Sequence, residues 1–463
     1  MTRTRRDGLI TFAVALAARL AVVVWAFRRI PATADGTYYQ IIAERISKGL
    51  GYTWQWPDGA VTFASHYPVG YPAMAGAAYA IFGPSPGVAM ALNALLGAAG
   101  ALAVHLLASR AFHDSRPRLA LVAGLLVALH PGLVAYTPAL MTEGVTASLL
   151  AVAAAVAASC RDRRLPSFLA LGLVVGVATL VRPQSLLVAP AFALLAAFPS
   201  ASDKPRLARL LGAAALATVA ALAVCAPWTA RNCVRMKSCA LVSVNGGWNL
   251  LIGADQESTG AWSPIKVPEA CREVFDEAGK DACFGREARS YIEAHPATWL
   301  SLVPKKLFAT FDYAGAAPWY LHQANPEAFP WRAKEALGAV ETLYERALVL
   351  LALAWAARPG PREPRLGAYA RVAAALFAVV SLFTLHATIA YVALPLLALS
   401  KPRALVRGPL LASASVVVLL STIVVHAVFF GAGRYSLVVF PFVAGLSALG
   451  LEAFDRRSLP RAS

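Results

Sequence analysis

The sequence predicts an all-α polytopic membrane protein with about twelve transmembrane helices, juxtamembrane helices and a small module outside the bilayer. Three observations predict it. Of 463 residues, 58% are apolar and 14% charged, whereas a soluble domain carries about 25% charged residues. Mean hydropathy is +0.59. Apolar runs recur along the chain at or near the roughly 17–25 residues that a membrane helix needs. This composition excludes a disordered chain, a small disulfide scaffold and an ordinary soluble enzyme.

Twelve spans are expected, at 9–27, 86–108, 119–136, 142–159, 165–180, 183–198, 207–227, 343–357, 368–384, 386–400, 409–430 and 435–451. Their Ala, Gly and Pro content suits helices packed closely in lipid. The first follows Arg3, Arg5 and Arg6. Basic start, apolar stretch and "ATA" at 32–34 resemble a signal peptide with its cleavage site. The stretch runs about 19 residues with Arg19 inside it, longer than a signal core, and reads as a retained anchor.

The net charge of +17 decides the topology. Basic residues collect in the loops that a cytoplasmic N-terminus places inside, as the positive-inside rule requires. These are Arg3, Arg5 and Arg6; Arg110, Arg116 and Arg118; Arg161, Arg163 and Arg164; Lys204, Arg206 and Arg209; Arg358, Arg362, Arg365 and Arg371; Lys401, Arg403 and Arg407; and Arg456, Arg457 and Arg461. After subtracting Asp7, Asp114, Asp162, Asp203, Glu363, Glu452 and Asp455, this side holds +15 of the +17. Both termini are then cytoplasmic. Counting 67–83 as a span would invert every later loop, so that stretch is read as a juxtamembrane or re-entrant helix. Before it, 38–52 places Ile41, Ile42, Ile46 and Leu50 at helical spacing, the pattern of an interfacial helix.

Two segments remain on the outer side, 28–85 and 228–342. The second carries 12 basic and 13 acidic residues, so no basic patch is left for nucleic acid. The chain thus divides into an N-terminal membrane region (1–227, with outer loop 28–85), an outer module (228–342) and C-terminal helices (343–463). Within the module, 293–311 reads as a helix. Its Lys305 and Lys306 either reach a lipid phosphate or snorkel at the interface. Cys233, Cys239, Cys271 and Cys283 fall in the module, where an oxidising compartment favours disulfides; the expected pairs are Cys233–Cys239 and Cys271–Cys283. No Cys-x-x-Cys pair points to a metal instead.

Chemistry is expected where outer loops meet span ends. Asp35, in "ATADGTYY", either serves as a partly desolvated proton acceptor or caps the helix beginning near Gly36. Glu143, in "TPALMTEGV", lies about one turn into a span, where an ionisable residue is a functional candidate; its alternative is pairing with an arginine or with helix N-terminal amides. Arg182, Arg231 and Arg434 sit at outer span ends, either as interface anchors or as a clamp on phosphate. His426 is a candidate for a phosphate and His66 for a metal, so a divalent metal is the one cofactor left open. Arg19 falls mid-span with no partner evident. Nucleotide-binding loops and a DxD pair are missing from the sequence, which favours a membrane-soluble donor in any transfer reaction.

These residues carry a resemblance. "ADGTYYQIIAERISKGLGY" (34–52) and "HYPVGYPAMAGAAYAIFG" (66–83) resemble the first outer loop of GT-C integral-membrane glycosyltransferases. The likeness is to the dolichyl-phosphate-mannose protein mannosyltransferase-like branch, glycosyltransferase family 39. "LMTEGVTASLL" (140–150), "TLVRPQSLLVAP" (179–190), "APWTARN" (226–232), "VNGGWNLLIG" (244–253), "YIEAHPATWL" (291–300) and "FFGAGRYSLVVFPFVAGL" (429–446) continue it in the family's order. The resemblance implies a polyprenyl-phosphate sugar donor and an inverting transfer, with Asp35 as the general base. It also implies that Glu143 is the second acid, orienting an acceptor or a metal, and that Arg182, Arg231 and Arg434 are recurring arginines. His66 departs from the pattern of many relatives. The implied acceptor is a glycan, lipid or protein, at the periplasmic face of a bacterial inner membrane. A transporter of lipid-linked glycans is the alternative from a different class. Such a protein would show internal repeats and short loops, neither of which the sequence has. A third reading, an inactive scaffold, conflicts with the intact Asp35.

Overall fold

The computed structural model describes residues 2–112, 116–161, 163–199, 206–254, 258–360 and 363–452. Of the residues used above, Asp114, Asp162, Asp203, Lys204, Asp255, Glu257, Arg362, Asp455, Arg456, Arg457 and Arg461 lie outside them. The chain is an all-α polytopic membrane protein. Among the described residues six helices are long and apolar enough to cross a membrane. They are α1 (Arg3–Ala26), α4 (Pro86–Phe112), α7 (Glu143–Cys160), α10 (Leu207–Arg235), α16 (Arg365–Thr384) and α19 (Leu410–Val428).

Shorter apolar helices fill the bundle between them: α5 (Pro117–Ala128), α6 (Pro131–Ala135), α8 (Phe168–Val181), α9 (Val188–Ala197), α17 (Ala387–Leu399) and α20 (Phe440–Leu451). The remaining helices are α2 (Asp35–Ser47), α3 (Gly70–Phe82), α11 (Gly246–Ala254), α12 (Glu277–Ala294), α13 (Pro296–Phe311), α14 (Ala316–Ala324), α15 (Trp331–Ala357) and α18 (Pro402–Arg407). Proline opens α5, α6, α13 and α18, where its missing N–H is no loss. Small residues let the helices approach. A Cβ on Gly172 or Gly176 of α8 would strike backbone carbonyls of α10, at Ala217 and Ala221.

Three expected boundaries shift for physical reasons. The stretch 119–136 breaks after Ala128, because Pro131 cannot supply an N–H to continue the helix. The helix expected to end at 227 runs on to Arg235, through Pro227. At the other side of the module, α15 already begins at Trp331, so both ends of 228–342 are continuous with bundle helices. Among the described residues there is one hairpin, β1 (Thr53–Gln55) with β2 (Val61–Phe63). Its turn is Pro57-Asp58-Gly59, with Gly59 at φ 88° and Asp58 Oδ1 accepting from the Ala60 amide at 3.0 Å. Proline, aspartate and glycine each suit such a turn.

Arg19 finds its partners in the broken segment. Its guanidinium donates to the Ala128 carbonyl at 3.0 Å and to that of Val127 at 3.4 Å, at the C-terminus of α5. A helix C-terminus leaves carbonyls unpaired and carries partial negative charge, so a buried cation is stabilised there without a carboxylate.

The outer module is held by two disulfides, Cys233–Cys239 and Cys271–Cys283, and by a small core around Leu251, Cys271, Phe284 and Ala288. One acid of α12 ties it to the 28–85 segment, Glu277 accepting from the Ser65 amide at 2.7 Å, while Asp281 accepts from the Trp248 amide within the module at 2.8 Å.

Candidate active site

Asp35 is the first residue of α2. It follows Ala34, whose φ of 52° lies in the left-handed region, at a cost of roughly 1–2 kcal/mol for a residue with a Cβ. The strained turn directs the carboxylate away from its own helix, whose N-terminus has no side-chain cap. Its partners come from elsewhere in the chain. Tyr67 donates its hydroxyl to Oδ1 at 2.9 Å, and Arg434 Nη1 lies 2.8 Å from Oδ2. Burial, then the Asp35 charge, pushes the Tyr67 phenol well above its ordinary pKa, so it remains a donor.

Glu143 opens α7, where the helix dipole favours a carboxylate. Its side chain is 1% exposed. Arg182 Nη2 donates to Oε1 at 2.6 Å, Arg434 Nε lies 3.4 Å from the same oxygen, and Tyr136 donates to Oε2 at 3.3 Å. Arg182 also donates through Nε to the Thr142 hydroxyl at 3.0 Å. The result is a continuous string, Tyr67–Asp35–Arg434–Glu143–Arg182, in which two carboxylates balance two guanidiniums. Asp35, 26% exposed, is the carboxylate of the two that a second molecule can reach. Glu143 is enclosed and orients the arginines.

Tyr435 supplies the floor under both cations, its ring 4.8 Å from the Arg182 guanidinium carbon and 5.3 Å from that of Arg434. His426 stacks on the Tyr435 ring at 4.3 Å and turns Nδ1 to the Phe430 carbonyl at 2.9 Å. The segment before Arg434 is clamped by the outer module. The Gly431 amide donates to the Gly260 carbonyl at 2.8 Å, and Lys306 Nζ donates to the Val428 carbonyl at 3.0 Å.

Four of the expected site residues therefore converge: Asp35, Glu143, Arg182 and Arg434. The others are placed differently. Arg231 lies over Trp228 at 4.6 Å and donates to the Tyr52 carbonyl at 2.9 Å, so it holds the hairpin rather than the carboxylates. Lys306 is fully buried with its ammonium spent on the end of α19, and burial pulls its pKa down to about 8. Lys305 beside it is exposed. His66 is packed edge-on between Tyr67 at 4.8 Å and Trp248 at 5.4 Å. Burial lowers its pKa against the opposing pull of Asp35, which keeps the ring neutral near pH 7.

The arrangement does not fit a divalent metal. Guanidiniums occupy the faces of both carboxylates that a cation would use, and among the described residues no group of three or more His, Cys, Asp or Glu is set to hold one. Sequence reasoning missed Tyr67, Tyr136, Thr142 and Tyr435. Tyr67 and Tyr435 lie inside the motifs quoted above, but tyrosines are common at any membrane interface and carried no separate signal.

Residues 66–230 match the family model described as dolichyl-phosphate-mannose-protein mannosyltransferase. That segment includes Tyr67, Glu143 and Arg182; Asp35 and Arg434 lie outside it. Two structures of the Archaeoglobus fulgidus oligosaccharyltransferase, one in the apo form and one in complex with Zn and sulfate, align at 14% identity and TM-score 0.50. They cover 97% of this chain and 50% and 49% of their own, so the chain spans about half the length of those proteins. ArnT from Cupriavidus metallidurans bound to undecaprenyl phosphate aligns over 96% of this chain and 77% of its own, at 16% identity and TM-score 0.40. No curated protein matches the sequence. At these identities the structures speak to the fold.

Proposed function

We propose that the protein is a glycosyltransferase that moves a sugar from a polyprenyl-phosphate carrier to a hydroxyl of a glycan, lipid or protein acceptor. One observation carries the reading: a partly exposed carboxylate, Asp35, is ion-paired into a buried string with two arginines and a second acid. The family match over 66–230 supports it.

In this reading the acceptor hydroxyl docks against Asp35. Its oxygen attacks the anomeric carbon, its proton passes to the Asp35 carboxylate, and the bond from that carbon to the phosphate oxygen breaks. A single displacement of this kind inverts the anomeric centre. Negative charge builds on the departing lipid phosphate, and the guanidiniums of Arg182 and Arg434 are preorganised to stabilise it. Tyr67 fixes the orientation of the base by holding Oδ1, leaving further lone pairs of the carboxylate for the acceptor.

The distribution of basic residues supports placing the site on the periplasmic face of a bacterial inner membrane, with both termini cytoplasmic and lipids as the surroundings. A near-neutral outer module gives no support to a nucleic-acid partner. The transporter reading has no geometric counterpart, since it does not call for a reachable carboxylate oriented by a tyrosine.

The test compares wild type with Asp35→Asn in membranes supplied with labelled polyprenyl-phosphate sugars. Removing a general base should cost about 10²–10⁴-fold in transfer rate. Equal transfer by both proteins would overturn the assignment, and movement of a labelled glycolipid across the bilayer without transfer would favour the transporter.

A further inference from the structure

The segment 312–325, between α13 and α15, passes beside both partners of the Asp35–Arg434 pair. Tyr313 lies so close to Gly433, the residue before Arg434, that a Cβ there would strike its ring. Further along, Tyr320 on α14 and Asn325 at its end reach the loop that leads into Asp35. Asn325 Nδ2 donates to the Arg29 carbonyl at 2.9 Å, and the Tyr320 hydroxyl accepts from the Thr33 amide at 3.2 Å.

The second anchor falls one residue before Ala34, where φ is 52°. The Gly36 amide returns to the Thr33 carbonyl at 3.0 Å, so 33–36 is one closed turn with Asp35 inside it. Left-handed backbone is unfavourable for alanine, and such a turn persists only where its surroundings hold it. Tyr320 is well placed to do so. It is 1% exposed, and its ring meets edge-on, at 5.9 Å, that of Tyr136, the donor to Glu143. The backbone of Leu140, three residues before Glu143, faces the same hydroxyl. A Cβ on Gly36 would lie 3.0 Å from the Tyr320 oxygen and 3.1 Å from the Leu140 carbonyl. One phenol thus joins the turn that carries Asp35 to the turn that carries Glu143.

We propose that Tyr320 is a positioning residue for the base: its hydroxyl holds the Thr33–Ala34 turn and so sets where the Asp35 carboxylate stands relative to Arg434 and Glu143. The inference rests on the glycosyl-transfer reading above and adds to it a residue outside the string of charges. Without the hydroxyl, Ala34 is free to relax toward right-handed backbone. Asp35 then keeps its charge and loses its aim, so turnover suffers and binding of the lipid does not.

The test measures initial rates of the full chain in membranes supplied with labelled undecaprenyl-phosphate mannose. Tyr320→Phe should lower kcat about fivefold, the worth of one hydrogen bond, with KM for the lipid within twofold of wild type. Tyr344→Phe removes a phenol bonded to the Leu126 carbonyl elsewhere in the bundle and should change neither. Ala34→Gly in the Tyr320→Phe background should recover most of the loss, because glycine takes positive φ without strain. Asn325→Asp is the second variant. It keeps the oxygen that accepts from the Glu327 and Ala328 amides, removes the donor to Arg29, and should show the same loss in kcat and the same recovery. Unchanged kcat in Tyr320→Phe, an equal loss in Tyr344→Phe, or no recovery by Ala34→Gly would overturn the proposal.

Thermal unfolding of purified protein supplies a readout that needs no substrate. Asp35→Asn should shift the midpoint less in the Tyr320→Phe background than in wild type, because the pair with Arg434 is already loosened there; equal shifts would overturn the proposal. Full transfer by Asp35→Asn would overturn the base itself. Loss of transfer in Asp35→Asn with none in Tyr320→Phe would overturn the role of Tyr320 alone.

Discussion

The two ends of α7 hold arginines in opposite ways. At its far end Arg161 donates to the Gly408 carbonyl at 2.9 Å and the Val406 carbonyl at 3.2 Å, closing the end of α18. Nearby, Arg371 donates to the Leu397 carbonyl at the end of α17 while also pairing with Glu363 at 2.8 Å, and Arg358 donates to the Leu449 and Gly450 carbonyls at the end of α20 with Glu452 3.6 Å away. Arg19 and Lys306 do the same for α5 and α19. These cations complete helix C-termini, where partial negative charge and unpaired carbonyls await them. At the Glu143 end the helix carbonyls drop out: Arg182 and Arg434 turn to carboxylates and a tyrosine face. A cation that caps helix carbonyls is committed to the fold, whereas one held by carboxylates without them can be drawn to an incoming phosphate.

The largest test of that contrast exchanges the arginines. Arg434→Leu should lower transfer by about 10²–10³-fold, as expected for removing one stabiliser of departing charge. Arg358→Leu, at the opposite end, should leave transfer within about twofold after correction for the amount of folded protein. Comparable losses in both variants, measured as initial rates with labelled polyprenyl-phosphate mannose, would break the distinction.

Stability should respond next. Glu143→Ala strips Arg182 and Arg434 of a buried partner, and an uncompensated buried charge costs about 3–5 kcal/mol. Glu143→Gln keeps an acceptor for Arg182 and should cost less than half as much. Thermal unfolding of detergent-purified protein separates the two. If alanine and glutamine behave alike, the loss comes from the missing charge and the retained acceptor contributes nothing to the 2.6 Å contact.

How much of this was legible in the sequence follows from what each signal measures. Hydropathy and loop charge report which residues face lipid and water, and these marked apolar helices and put Asp35, Glu143, Arg182 and Arg434 at the ends of expected spans on one side. Neither reports partners. Arg19, Arg182 and Arg231 are all arginines in or beside apolar runs, and their fates depend on which helix end or carboxylate packs against them. Arg19 meets α5 only because Pro131 breaks a stretch that reads as one span. Arg231 faces Trp228 and the hairpin instead of Asp35 because α10 continues to Arg235 and turns that side of the helix toward Tyr52 and Phe63. The tyrosines of the site stayed hidden because an interfacial tyrosine is expected for reasons of its own.

A smaller effect is expected at Arg19. Arg19→Met replaces a buried cation with an apolar chain of similar length and leaves the carbonyls of α5 without their donor. Removal of the charge from an apolar setting offsets the lost hydrogen bonds, so the net change should stay within about 1 kcal/mol. A loss as large as that of Glu143→Ala would show that a carbonyl-held arginine can matter as much as a carboxylate-held one.

The smallest effect tests a site-end carboxylate bonded to backbone amides. Glu277 accepts from Ser65, two residues before the tyrosine that holds Asp35, and burial raises its pKa above the ordinary 4.5 despite those amides. The folded protein therefore keeps the proton at pH values where the unfolded chain has lost it. Its contribution to stability is complete below about pH 4.5 and is lost as pH rises through the folded-state value. Glu277→Gln removes the titration while keeping an acceptor for the Ser65 amide. The wild-type unfolding midpoint should fall relative to the variant's as pH increases from 4.5 toward neutrality. Asp281, also raised by burial, titrates in both proteins and cancels in the difference. Parallel pH profiles would mean that Glu277 is ionised in both folded and unfolded chains, and that the docking of α12 beside the site is insensitive to its charge.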